Sequence, residues 1–600
     1  MTTADRPSAA ESLGHNAADV HSTVMSLREA VFGPHEELNA WVRNILVSLC
    51  EVPRSESATE KLPDLLRAAI AGLGRPVHEI AADPLLRGAL CDWAHVTVPR
   101  LLPVLTEHVH SAVSAILALG DGSRYQQDCL GELDTGEALG ELMFIEPGNA
   151  DGADQQAIAA WDGSAGFWLS TPEVTYYRFM PHGAEFTAAK TVVIPAHLYV
   201  DGRDEGVFLF LMKLRTADGR LIKGAEIVRG PEQGYALMDH ALVWFDRVWL
   251  PREALLGGDW AWMNAAGQFE CNLEPHRRYH HATSMMGNGR LDLANAAISS
   301  ARAGLVELVN HTRQQKPYGV PLAAVVDVME GAGQVDIAQE MAAVVDVMQG
   351  VVQLDIAREM AAVYATSVLG RCIRDMRAAP TGDEQMHELW SRLAKPLLSN
   401  TAYKTLGICR ARIGDQGGLR VNRIADWAGS VEAIITAEYR TAECDNETMQ
   451  IKAGKARIDT ALQLPETPTE MPWYIEMLAT RENTITNELR DGTYKSGGTA
   501  LDEDTAAIEL AAAAGVRLAA TALFAAATTT KEPTAKELLT SLAADYSLEC
   551  ISTNALWYLM RHLMPADLAA KVSDELLYHR KRLIPHLQEL ADAFAMPEYP

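Results

Sequence analysis

No C-x-x-C pair occurs in 600 residues: the cysteines at 50, 91, 129, 271, 372, 409, 444 and 550 stand singly. That scatter speaks against a zinc site and against a disulfide framework, so reduced thiols and no metal are expected. Basic charge is scarce, with 52 Lys+Arg against 79 Asp+Glu and a formal net charge of −27. Such a chain repels nucleic-acid phosphates and anionic lipid headgroups, which predicts neither nucleic acid nor membrane as partner. The opening residues lack the basic start and apolar run of a secretion signal. No later stretch reads as the ~20 apolar residues of a bilayer span, so a cytoplasmic protein is expected. Aromatics are few, 6%. The tryptophans at 244, 249, 260 and 262 lack the basic surroundings of a base-stacking platform and read as packing residues.

What is abundant is apolar content, 48% hydrophobic, enough for several cores and three or four domains. From about residue 20 to 135 apolar residues recur at three and four, as in LPDLLRAAIAGL, which predicts a helical domain over 1–137. The runs TVVIPAHLYV, GVFLFLMKL and HALVWFDRVWL, separated by turn signals such as Asp201-Gly202 and Asp218-Gly219, predict a small β domain over 138–256. Helical texture returns after Pro251, giving a bundle over 257–464. The prolines at 465, 468 and 472 forbid a regular helix and mark a boundary before a second helical domain over 465–600. The fold class expected is mainly α with a central, barrel-like β domain.

One segment is duplicated: AAVVDVMEGAGQVDIAQEM at 323–341 is followed directly by AAVVDVMQGVVQLDIAREM at 342–360. Two copies without a third point to a local duplication rather than a repeat fold. A shift of 19 residues turns an α-helix by about 100° beyond whole turns, so both copies cannot present one face on one straight helix. The first copy, with Gly331 and Gly333, is expected to form a loop or a separate short helix.

The junctions between these regions carry the motifs. Phe144-Ile145-Glu146-Pro147-Gly148-Asn149-Ala150 leaves the first helical region, and Leu169-Ser170-Thr171-Pro172-Glu173-Val174-Thr175 follows. The β region closes with Phe245-Asp246-Arg247-Val248-Trp249-Leu250-Pro251-Arg252-Glu253-Ala254-Leu255-Leu256. Downstream come Asn310-His311-Thr312-Arg313-Gln314-Gln315, then Cys409-Arg410-Ala411-Arg412-Ile413-Gly414-Asp415-Gln416-Gly417-Gly418, and finally Thr441-Ala442-Glu443-Cys444-Asp445-Asn446. In this order they resemble the acyl-CoA oxidase and dehydrogenase superfamily: its T-E-x-G and L-x-S/T-P flavin segments, its F-D-x-V-x-[IVL]-P-R-x-x-L-L exit, its R-Q segment, its C-G-G-x-G-Y loop and its T-[FY]-E-G-[DE]-N signature. Helices on both sides match the long, oxidase-like form.

The resemblance implies an FAD enzyme acting on an acyl thioester carried on CoA or an acyl carrier protein. Glu443 takes the place of the base; Glu146, Gly148, Thr175, Arg313, Gly414, Gln416 and Gly417 belong to the flavin environment. A carboxylate suits that role: held against a nearly apolar flavin face, it is desolvated, and its pKa rises toward neutrality, where it can remove a proton beside a thioester carbonyl. A guanidinium fork at Arg313 suits a diphosphate. The family is dimeric with a shared cofactor site, so a homodimer is implied, with Arg313 and residues 414–418 acting on the partner's flavin.

Departures bear on substrate more than fold. Ile145 stands for a flavin-contacting threonine, Cys444 for the glycine after the base, Asp415 and Gly418 for a glycine and the tyrosine, His182 for a glycine, and Phe179 for a tryptophan. Two alternatives stay open: a flavoenzyme of the same fold that oxidises a C–N or N–N bond or acts as a monooxygenase, and a flavin-free scaffold. His276, His280 and His281 have helical spacing for a metal but no acidic or cysteine partner nearby, and read as a basic helix entrance.

Overall fold

The structure is a computed structural model describing residues 9–51, 62–144, 155–172, 178–181, 188–229, 240–314, 335–379, 384–414, 423–435, 445–465, 467–494 and 500–597. Helices come first: α1 (Ala9–Phe32), α2 (Glu36–Ser48), α3 (Leu62–Leu73), α4 (Val77–Ala82), α5 (Pro84–Thr97), α6 (Leu101–Leu119) and α7 (Arg124–Asp134). The middle of α6, Thr106–Val113, is π-helical and wholly buried. The start of α5 shows why it begins where it does: Asp83 accepts the N–H groups of Leu85 and Leu86, and Pro84 opens the first turn.

The β domain follows. Its main sheet contains β1 (Ala138–Leu142), β2 (Ile158–Trp161), β3 (Gly166–Ser170), β5 (Ala189–Val200), β6 (Arg203–Arg215) and β9 (Val248–Pro251). A smaller sheet is built from β4 (Arg178–Pro181), β8 (His240–Phe245) and β7 (Ala225–Arg229), and β10 (Ala261–Met263) pairs with β11 (Phe269–Cys271). Strand β5 organises the sheet. One edge pairs antiparallel with β6 across a turn where Asp201 and Gly202 both take positive φ. The other edge pairs parallel with β1 at its start and with β2 near its end. The three apolar runs read from the sequence lie in β5, in β6, and across β8 and β9, which belong to different sheets. The tryptophans pack as expected in part: Trp260 stacks on Phe208 at 5.2 Å, but Trp249 is 43% exposed.

Beyond α8 (Pro275–Ala282) the bundle is formed by α9 (Gly287–Gln314), α10 (Val335–Ala378), α11 (Glu384–Ile413), α12 (Ile424–Ile435) and α13 (Asn446–Arg457). Helix α9 packs along α11, with α5 and α10 on its other sides, so the N-terminal helices and the bundle share one core. The last layer is α14 (Trp473–Arg490), α15 (Ala500–Thr529), α16 (Pro533–Thr553), α17 (Ala555–Met560), α18 (Ala566–Leu583) and α19 (Leu587–Asp592). The fold is mainly helical with a central β domain, as read from the sequence.

Two expectations change. The end of the first duplicated copy, residues 335–341, runs unbroken into the second within the 44-residue α10. No helix break separates the copies there, and residues 323–334, including Gly331 and Gly333, lie outside the described residues. Among the described residues, two helices are also long and apolar enough to cross a membrane by length and composition, Leu101–Leu119 and Glu503–Thr529. Their apolar windows are 89% and 67% buried inside the protein, which is the position of core helices.

Candidate active site

Most of the candidate residues lie outside the described residues: Glu146, Gly148, Thr175, Gln416, Gly417 and Glu443. What is described is the framework from which their segments depart. Strand β1 delivers the chain to Phe144, and Gln155 Nε2 donates back to the Phe144 carbonyl at 3.2 Å, closing the neck of the segment that carries Glu146 and Gly148. Below this neck, Lys190 on β5 bonds Glu141 on β1 at 2.6 Å, both fully buried. Glu107, in the π-helical turn, accepts the Leu142 N–H at 3.2 Å. The departure point of Thr175 is fixed similarly: the Thr171 N–H donates to the Phe245 carbonyl at 2.8 Å, and the Phe245 N–H to Thr171 Oγ1 at 3.1 Å.

Arg313 and Gly414 are described. Arg313 is exposed in the last turn of α9, with Nη1 donating to Gln588 Oε1 of α19 at 2.5 Å. Gly414 ends α11 with φ +72°, and a Cβ built there meets nothing within 4 Å. No contact joins them among the described residues.

The base segment is framed on its C-terminal side. Asp445 caps α13, accepting the Thr448 N–H at 2.9 Å and its hydroxyl at 2.7 Å. Burial pushes the Asp445 carboxyl up, but these bonds, the Glu447 N–H and the Lys395 charge together outweigh it and hold the group below its ordinary value. Asn446 Nδ2 donates to Ser399 Oγ at 3.0 Å and to Asn400 Oδ1 at 2.9 Å on α11. Lys395, fully buried on the same helix, precedes Pro396, which lies inside the helix. The sequence carried a signal for Asp445 and Asn446, which stand in the motif itself. It carried none for Lys395.

A buried charge network joins this bundle to the first helices. Asp292 of α9 accepts from Arg87 Nε at 2.7 Å and pairs with His110 Nε2 at 3.0 Å, while Arg374 of α10 grips Asp92 with both Nη atoms at 2.8 and 3.0 Å. Among the described residues no group of three His, Cys, Asp or Glu could hold a metal. His281 instead packs edge-on against Trp260 at 4.9 Å.

A flavin dinucleotide needs a donor for its diphosphate and backbone that it can approach closely. Exposed Arg313 and the open, left-handed Gly414 fit both needs.

The structural comparisons cover nearly the whole chain. Acyl-CoA oxidase 1 of Yarrowia lipolytica superposes with a TM-score of 0.72 over 97% of this chain and 90% of its own, at 14% identity. The fold is that of the acyl-CoA oxidases. Acyl-CoA oxidase 1 of Arabidopsis thaliana gives 0.70 over 96% and 92%, at 16% identity. An acyl-CoA oxidase of Caenorhabditis elegans complexed with FAD and ATP gives 0.69 over 96% and 90%, at 15% identity. In sequence, the peroxisomal acyl-coenzyme A oxidase 3 of Arabidopsis thaliana is 27% identical over 26% of this chain and 23% of its own. The mitochondrial short-chain specific acyl-CoA dehydrogenase of Sus scrofa is 23% identical over 45% and 56%. The chain thus spans less than two thirds of these curated relatives. No family model matches. Together the sequence relatives and the fold relate the chain to the acyl-CoA oxidase and dehydrogenase superfamily.

Proposed function

We propose that the chain is an FAD-dependent enzyme that removes the α and β hydrogens of an acyl thioester, with Glu443 as the base. The observation that carries this reading is the junction at Asp445: the T-x-E-x-D-N motif runs directly into a capped helix of a bundle with the acyl-CoA oxidase fold. A carboxylate two residues before this cap has its Cα within ~7.6 Å of the capping residue's Cα.

In this reading Glu443 takes the α proton, and its main-chain N–H supports the thioester carbonyl as charge develops there. When bound, FAD supplies the hydride acceptor for the β hydrogen. Arg313 would hold the diphosphate, Gly414, Gln416 and Gly417 would pack against the cofactor, and Glu146, Gly148 and Thr175 would line the flavin from the β domain. Arg313 and the 414–418 loop would serve the partner's cofactor in a homodimer. The thioester carrier is CoA or an acyl carrier protein, and electrons pass on to oxygen or to a carrier flavoprotein. The curated relatives are named as peroxisomal or mitochondrial; a cytoplasmic location is proposed here and is tested by cell fractionation.

Ile145 and Cys444 favour a second reading, because each changes a position at the flavin or beside the base. The scaffold would then oxidise a C–N or N–N bond or act as a monooxygenase. A flavin-free scaffold is the third.

The deciding experiment is the visible spectrum of the purified protein, followed by anaerobic addition of acyl-CoA and acyl-carrier thioesters to wild type and Glu443→Gln. Flavin bands that bleach in wild type alone are expected. A flavin that bleaches only with amine substrates would move the assignment to the second reading. A colourless protein that cannot be reconstituted with FAD leaves the scaffold.

A further inference from the structure

The cap of α13 is complete without Asn446, because Asp445 already accepts both Thr448 donors. Asn446 is nevertheless 5% exposed, its Nδ2 spent on Ser399 and Asn400 and its Oδ1 buried with no partner among the described residues. An apolar residue there would avoid the desolvation of an unfilled acceptor. The amide therefore does something that helix stability does not ask for: it sets the place of the first turn of α13 on α11. Ser399 is itself oriented, its hydroxyl donating to the Lys395 carbonyl at 2.7 Å. One turn back along α11, Lys395 carries a fully buried ammonium whose charge acts on Asp445. Glu443 precedes Asp445 by two residues, so their Cα atoms lie within ~7.6 Å by any path of the chain.

We propose that Asn446 and Lys395 are positioning residues for the base, an inference that rests on the assignment of Glu443. Asn446 fixes where the base segment enters α13, and Lys395 supplies the positive field that keeps the base ionised. Other charged groups on α13 and on the elements packed against it and α11 include Glu447 and Lys452, Glu359 with Arg358 and Lys404, Asp504 with Lys455, Glu482 with Arg457 and Arg517, and Glu307, Arg423, Asp426 and Glu432.

The test follows the rate of anaerobic flavin bleaching against pH, using an acyl-CoA that reduces the wild-type holoenzyme, with Glu443→Gln alongside. Asn446→Leu is expected to bleach at least ~10-fold more slowly, with flavin content and thioester Kd unchanged. Asn400→Ala removes an acceptor on an exposed side chain and is expected to slow it by ~3-fold, a second probe of the same contact should Asn446→Leu fail to fold. Lys395→Met is expected to move the acid limb of the profile up by ~0.5–1 pH unit, and Lys395→Arg to restore it. If wild type bleaches, Glu443→Gln does not, and both Asn400→Ala and Lys395→Met keep the wild-type rate and profile, the positioning role is wrong and the base assignment stands. If Glu443→Gln bleaches like wild type, or no thioester bleaches the wild type, the base assignment falls and this inference with it.

Discussion

At the scale of single residues, the interior holds histidines that are neutral by construction. His108 uses both ring nitrogens: Nδ1 accepts the Gly140 N–H at 2.9 Å and Nε2 donates to the Leu133 carbonyl at 2.9 Å. Protonation would set a second N–H against the Gly140 donor. Burial pushes His108 down to about 4, although the bond to Leu133 works the other way, and burial does the same to His95. Both folded values lie below the ordinary one of about 6.5, so the stability they contribute is complete above that pH. It is lost as pH falls toward 4, because the unfolded chain takes up protons that the folded chain refuses. Each is worth up to roughly 3 kcal/mol across that window. Urea midpoints at pH 7.5, 6, 5 and 4.5 should fall steadily; a flat profile would show that the rings are not neutral in the fold. The Asp292–Arg374–Asp92 network makes a second prediction at this scale. Arg374→Met leaves two buried carboxylates short of their cation and should lower stability by about 3–5 kcal/mol, while loss of the exposed Arg67–Asp64 pair should change it by less than about 1 kcal/mol. Equal effects of the two substitutions in denaturant melts would mean the network is not dry.

At the scale of elements, close approach matters more than propensity. A Cβ on Gly454 of α13 would lie 1.9 Å from the Ala507 carbonyl oxygen of α15, and backbone cannot retreat as a side chain can. Gly454→Ala should force the helices apart, lowering stability by about 1–3 kcal/mol and slowing flavin bleaching, since the base segment enters α13. Gly131 on α7 has open space where its Cβ would be, so Gly131→Ala should stabilise by up to about 1 kcal/mol. Thermal melts of the two variants moving the same way would contradict this. The duplication is also an element-scale question. Arg358 and Asp355 of the second copy pair with each other and, respectively, with Glu359 and Arg412, while the first copy has Gln339 where the second has Arg358. Deleting 323–341 keeps that set; deleting 342–360 replaces Arg358 by glutamine. Only the second deletion should lower the melting temperature. Much of this level was legible in the sequence, since β-branched runs and Asp-Gly turns mark β5 and β6 directly. The Glu141–Lys190 pair and the His108 bonds were not, because their partners lie 25 to 49 residues away and only packing brings them together.

At the scale of the whole molecule, the order of helical, β and helical regions was readable, and the superposition on acyl-CoA oxidases over 97% of the chain agrees with it. The candidate site rests on linear motifs, of which the described structure carries Arg313 and Gly414. Arg313 is exposed and, among the described residues, bonds Gln588 rather than Gly414; the proposal has it serve a neighbour's flavin. A mixed-dimer experiment tests this. If each flavin takes its base from one chain and its arginine from the other, a dimer of Arg313→Met with Glu443→Gln contains one intact site and one doubly defective site. Denaturing and refolding an equal mixture makes half the dimers mixed, so about a quarter of wild-type bleaching should return from two inactive parents. Were Arg313 to serve its own chain's flavin, every site in the mixed dimer would carry one defect and no activity would return. A monomer of 65.3 kDa in light scattering, active at that mass, would remove the shared site altogether.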